Sequence, residues 1–256
     1  AVQAEQGLLA GELPLLPAQH GYLEGRPCDA GHFNQAVLLE VQRPLQPRLL
    51  EESLRLLARQ HDALRLRLAL EGGFHAWYGT PDEACLRCID LSAVSGDEPA
   101  GALGLAAGQL QGSLNLAEGP LWRAALFELG SGRGQRLLFI VHHLAVDAVS
   151  WNLLLDDLRW LYEELRAGQA PLLPPKTTSL RQWAQRLAEY ARSAELAAEA
   201  DWWLEQLAAW PSSPEAVVPP DAFPAHRPPA LPADDCAALN TYASAEVVRF
   251  ELSSPE

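Results

Sequence analysis

The sequence predicts an α+β fold, and three observations carry that expectation. Leu121 to Leu129 and Arg136 to Val141 are two apolar runs joined by Gly130-Ser131-Gly132-Arg133-Gly134, which reads as a β-hairpin. Leu64, Leu66, Leu68 and Leu70 alternate with Arg65 and Arg67, the period of a half-buried strand. Elsewhere apolar residues recur at helical spacing, most clearly at Trp151, Leu154, Leu155, Leu158 and Leu161.

Taken in order, residues 1–35 are rich in Gly and Pro and carry little periodicity. Phe33 to Val41 reads as a buried strand centred on Ala36-Val37-Leu38-Leu39. After Pro44 and Pro47, the positions Leu49, Leu50, Leu54, Leu57 and Ala58 give a helix that closes at His61-Asp62. The alternating strand from Leu64 follows, and Gly72-Gly73 turns it toward a partner containing Trp77 and Tyr78. Residues 101–116 form a short amphipathic helix, and the hairpin comes next. A long helix runs from Ser150 to about Leu165, ended by Pro171-Leu172-Leu173-Pro174-Pro175. Leu180, Trp183, Ala184 and Leu187 mark another helix, and Ala198 to Trp210 a further one. Residues 211–232 hold eight prolines, an extended linker or a loop held against other structure. A short strand near Val247–Leu252 ends the chain. Trp202, Trp203 and Trp210 read as helix packing at a lobe junction, Asp156-Asp157 and Glu163-Glu164 as a solvated helix face, and His75 as a surface strand residue.

Composition removes several function classes. The 256 residues include 33 acidic and 19 basic side chains, a net charge of -14, which argues against nucleic acid and anionic membranes as partners. Hydrophobic residues make up 48%, yet no apolar run approaches the roughly 18–20 residues of a membrane span. No secretory signal opens the chain, so a soluble, cytoplasmic protein is expected. There is no Met, and a start at Ala1-Val2-Gln3 reads as a piece excised from something longer. Cys28 and Cys236 are isolated, and Cys85-Leu86-Arg87-Cys88 has no second pair to complete a metal site. Reduced cysteines and no bound metal are expected.

The chemistry concentrates in Val141-His142-His143-Leu144-Ala145-Val146-Asp147-Ala148-Val149-Ser150-Trp151, where a strand delivers two histidines to its end and a helix begins. Neighbours on a strand point to opposite faces, so only one histidine can enter a given cleft. An imidazole there suits proton transfer. Asp147 or Ser150 can cap the helix, and Asp147 can instead pair with an arginine of another strand, Arg65 or Arg67 being the nearest in type. Strand-end packing with a plain helix cap is the alternative reading of the same residues.

His142-His143-x-x-x-Asp147 resembles the HHxxxDG signature of the nonribosomal peptide synthetase condensation superfamily, whose fold is related to chloramphenicol acetyltransferase. Val149-Ser150-Trp151, then Leu153-Leu154 and Asp156-Asp157-Leu158, resembles its epimerization branch, which reads HHxxxDGVSW. Gly11-Glu12-Leu13-Pro14-Leu15-Leu16-Pro17-Ala18-Gln19 resembles the opening family motif, and His32-Phe33-Asn34-Gln35 an epimerization-type strand. His61-Asp62-Ala63-Leu64-Arg65 and Pro175-Lys176-Thr177-Thr178-Ser179-Leu180 with Trp183 match further segments in order. Two departures stand out. Ala148 replaces the motif glycine, which predicts backbone strain of about 1 kcal/mol if φ is positive there. His20-Gly21-Tyr22-Leu23 replaces an aromatic pair.

The resemblance implies a chloramphenicol acetyltransferase-like lobe over residues 1–175. Residues 176–256 would hold crossover helices, the Pro-rich linker and the first strand of a second, similar lobe. It implies epimerization at Cα of an L-aminoacyl or L-peptidyl thioester, with no covalently bound cofactor. The phosphopantetheine arm of a peptidyl carrier protein would enter as substrate carrier, and neighbouring synthetase domains are the other implied partners. It implies His143 as the acid/base residue, with His142 and Asp147 organising the loop and Asp147 pairing Arg65. Ser150 and Trp151 would shape the pocket and cap the helix, and backbone N–H groups after Asp147 would receive enolate charge. A second-lobe Glu beyond Glu256 would work opposite His143, so no epimerase activity is expected of this chain alone. A condensation domain, which forms an amide bond, and a non-catalytic docking lobe are the alternatives.

Overall fold

The computed structural model describes residues 3–25, 29–69, 73–80, 85–94, 98–130 and 132–208. The expectations for Cys28, Leu70, Gly72, Trp210, the 211–232 linker, Cys236 and the 247–252 strand lie outside the described residues.

The order is β1 (Gly11–Leu13), α1 (Pro17–Glu24), β2 (Asn34–Val41), α2 (Pro47–Gln60), β3 (Leu66–Ala69), β4 (His75–Tyr78), β5 (Leu86–Asp90), α3 (Glu98–Gln111), β6 (Trp122–Glu128), β7 (Gln135–His142), α4 (Ala148–Arg166), α5 (Leu180–Tyr190) and α6 (Ala194–Ala208). One compact unit runs Ala1–Ala184 and a second Gln185–Glu256. The α+β expectation holds. The first unit carries a mixed four-stranded sheet in the order β2-β7-β6-β5 and a three-stranded antiparallel sheet in the order β1-β4-β3.

In the larger sheet β7 pairs antiparallel with both β2 and β6, while β5 joins β6 in parallel. β7 is central and covered on both faces, which is why Leu137 to His142 are all buried and no alternation shows in its sequence. Leu137, Phe139 and Val141 meet α2 and α4, whereas Leu138 and Ile140 face the α3 side. α2 begins with Pro47, where a missing N–H costs nothing. It buries Leu50, Leu54, Leu57 and Ala58. Each such leucine contributes about 1.5–3 kcal/mol over an exposed one.

Several expectations are corrected. Phe33–Val41 is not a buried strand: β2 is a sheet edge with alternating burial, and Leu38 is 48% exposed. Residues 1–35 hold β1 and α1 despite their weak periodicity. Asp157 is not simply solvated, since His61 Nε2 meets its Oδ2 at 2.7 Å. His75 is indeed exposed on its strand. In the second unit, Trp202 and Trp203 meet edge to face, yet each stays 54% exposed instead of entering a core.

Arg65 and Arg67 are not on a solvent face; each is at most 3% exposed. Arg65 donates to Ala58 O, Gly79 O and Leu9 O and pairs with Asp62. Arg67 donates to Leu66 O and Glu118 O. Gly119, at φ +79°, passes so close that a Cβ there would sit 2.0 Å from Arg67 Cζ.

Candidate active site

The site forms where β7 runs out. His142 is its last residue and stays in the fold: 0% exposed, with Nε2 2.8 Å from Ala30 O and Nδ1 accepting from Leu144 N–H. A carbonyl only accepts, so Nε2 carries the proton and the ring is neutral. Burial, foremost, pushes its pKa below the ordinary histidine range. His143 leaves on the other side, half-buried, its N–H donating to Phe33 O at 2.8 Å. The strand parity thus sends one imidazole of the pair, His143, into a cleft of about 610 Å³, lined also by Tyr22, Phe33, Val146, Asp147 and Ser150.

His143 is held on three sides. Nδ1 lies 3.1 Å from Val146 O, Nε2 lies 3.2 Å from Gln35 Nε2, and the Phe33 ring packs on the imidazole at 4.8 Å. Tyr22 stacks on the far side of Phe33, its hydroxyl donating to Ala30 O. Gln19, 2% exposed, pins the turn after the histidines by donating to Leu144 O while its Oε1 takes the Leu16 N–H.

Asp147 is the N-cap of α4. Its Oδ1 accepts from Ser150 N–H at 2.8 Å and from the Ser150 hydroxyl at 2.7 Å. These bonds hold its carboxyl below the usual aspartate range. Three expectations change as a result. Asp147 does not pair with Arg65, which is engaged by Asp62 and three carbonyls. Ser150 is not the cap; it is what the cap holds. The Ser150 N–H points at Asp147, so it is not free to receive an enolate oxygen. Ala148 is the first residue of α4, exposed and in helical backbone, so no positive-φ strain arises at the position of the motif glycine.

Trp151 lies in the core, 9% exposed, edge-on to Phe139. Its Nε1–H donates to Gln35 Oε1 at 2.7 Å. Gln35 is thus the site residue that periodicity and composition do not single out. Its signal was its place in the His32-Phe33-Asn34-Gln35 segment. Among the described residues no group of three His, Cys, Asp or Glu side chains could hold a metal, and no helix is long and apolar enough to cross a membrane.

A family model described as Condensation domain matches residues 9–236. The chain belongs to the condensation-domain family. It is 43% identical over 206 residues to one of the linear gramicidin synthase proteins of Brevibacillus parabrevis, covering 80% of this chain and 3% of that protein. To chondramide synthase cmdD of Chondromyces crocatus it is 39% identical over 260 residues, 99% of this chain and 6% of that protein. Among solved structures, the epimerization domain from the third module of tyrocidine synthetase B superposes with a TM-score of 0.74 at 33% identity. That match covers 82% of this chain and 48% of the solved one. The starter condensation domain of rhizomide synthetase RzmA gives 0.68 at 25% identity, covering 79% and 49%. The condensation domain therefore has the chloramphenicol acetyltransferase-like α+β fold of its relatives and spans about half of these solved chains and a few per cent of the long synthetases.

Proposed function

We propose that this condensation-family domain is of the epimerization type. It would invert Cα of an L-aminoacyl or L-peptidyl thioester carried on the phosphopantetheine arm of a peptidyl carrier protein. The observation that carries the reading is the hydrogen-bonded row Trp151–Gln35–His143. It joins the two segments, Val149-Ser150-Trp151 and His32-Phe33-Asn34-Gln35, that resemble the epimerization branch. The likeness to the tyrocidine synthetase epimerization domain supports it further.

Inversion at Cα needs a proton taken from one face and one delivered to the other. A thioester helps because its α-proton is more acidic than that of an amide. His143 supplies one of the two acid/base groups: it alone of the histidine pair lines the cleft, and its Nε2 faces an N–H donor and so bears a lone pair. His142 works through the backbone, fixing Ala30 and the turn at Leu144. Asp147 sets the start of α4 and thereby the wall of the cleft. Arg65 contributes from a distance, locking the end of α2 to the smaller sheet.

The test is isotopic. A carrier loaded with an L-aminoacyl group is incubated with the synthetase domain in deuterated water. Deuterium is expected to enter Cα, and His143→Gln is expected to abolish its entry. If two loaded carriers give an amide product and no wash-in occurs, the domain is a condensation catalyst instead.

A further inference from the structure

We propose that Gln35 is the positioning residue of His143, fixing which ring nitrogen carries the proton, and that Trp151 fixes Gln35. An indole N–H can only donate, so the Gln35 atom 2.7 Å from Trp151 Nε1 must be the amide oxygen. The atom that meets His143 Nε2 at 3.2 Å is then the amide nitrogen, which in turn can only donate. His143 Nε2 must accept, so it is free of a proton. The other side of the ring gives the same answer independently. Nδ1 lies 3.1 Å from Val146 O, which only accepts, so Nδ1 carries the proton.

The Gln35 and Val146 hydrogen bonds thus favour the same neutral tautomer. The Gln35 amide that makes the first is itself oriented by Trp151, each of its two bonds joining positions more than 100 apart in sequence. The strand register makes this possible. Gln35 stands opposite Val141 on β2, two residues before His143, and Trp151 comes back over Phe139 of the same sheet from the first turn of α4. A base can take a proton at Nε2 only when that nitrogen carries none of its own. Here its lone pair receives the Gln35 amide N–H, a bond that proton transfer from substrate must displace. The row therefore keeps His143 in its accepting state before substrate arrives.

This role rests on reading His143 as the acid/base residue, but its test does not require turnover. The chain is labelled with ¹⁵N-histidine, and His143 is assigned by comparison with the His143→Gln spectrum. At a pH where the ring is neutral, Nε2 is expected at the lone-pair position and Nδ1 at the proton-bearing position. Gln35→Met keeps the length and removes both hydrogen bonds. It is expected to move Nε2 toward the proton-bearing position as the other tautomer enters. If that variant gives no dispersed spectrum, Trp151→Phe takes its place. There the amide is released to turn over, and the same shift is expected. A protonated Nε2 in the parent chain, or an unchanged spectrum in the variant that folds, overturns the proposal. In the synthetase domain, Gln35→Met is expected to lower kcat by about 10–100-fold with KM unchanged, the range found for tautomer-fixing partners of metal-bound histidines. Correct tautomer without deuterium wash-in would sink the epimerase reading and leave Gln35's role standing. Wash-in with a protonated Nε2 would do the reverse.

Discussion

Burial of the His142 imidazole favours its neutral form and outweighs the opposing pull of the Ala30 carbonyl, and that has a consequence for stability. The folded pKa lies below the ordinary value of 6.5, so the unfolded chain binds the proton first as pH falls. Stability conferred by the neutral ring is complete above 6.5 and is lost as pH drops from there toward the depressed folded value. Urea midpoints measured against pH are expected to fall on acidification below 6.5, and His142→Asn to flatten that limb. Ala148 makes an opposite point about motif departures. Because it is exposed at the first position of α4, Ala148→Gly is expected to cost helix stability, at most about 1 kcal/mol, and to bring no gain in wash-in.

At the scale of elements, the start of α4 depends on one carboxylate. Asp147→Ala removes the acceptor for the Ser150 N–H and hydroxyl and is expected to cost about 0.5–2 kcal/mol by denaturant unfolding. Since the folded carboxyl pKa is depressed, the cap is intact above the ordinary aspartate value of 3.8 and fades as pH falls below it. Asp147→Ala should therefore differ most from the parent near neutrality and converge with it in acid. The alternation that starts at Leu64 found β3 but began it too early and misjudged its polar partners. Leu64 and Arg65 close a 3-10 turn over Asp62–Arg65, and the strand is Leu66–Ala69. Period two says that Arg65 and Arg67 differ in direction from the leucines. It does not say whether water or carbonyl oxygens await them. Likewise the apolar run Ala36-Val37-Leu38-Leu39 identified β2 while overestimating its burial, because position within a sheet is not a property of one segment.

Over the whole first unit, one buried cluster joins distant parts of the chain. Asp62 accepts from the Leu9 N–H, pairs with Arg65 and meets Lys176 Nζ at 2.7 Å. Lys176 also donates to Gly7 O and Arg59 O. Asp62→Ala leaves Arg65, 2% exposed, without its counter-charge and is expected to cost about 3–5 kcal/mol by denaturant unfolding. The Arg55–Glu52 pair, each side chain about two-fifths exposed, is the control: Arg55→Ala is expected to change stability by no more than about 1 kcal/mol. Net charge, by contrast, guides little here, because this cluster and the His143 site are set by local partners.

The sequence by itself determined the α+β class, the hairpin, the buried faces of α2 and α4, and the segment from Val141 to Trp151 as the place where chemistry could gather. Those features follow from periodicity and turn residues within a single stretch of chain, where neighbours are known in advance. Only the tertiary structure decided that Arg65 answers Asp62 and not Asp147, that Asp147 caps while Ser150 is capped, and that Gln35 stands between Trp151 and His143. Each of the long-range choices depends on strand register and sheet order. Two positions over a hundred residues apart meet, or miss, by a single step of pairing, and no local pattern carries that information.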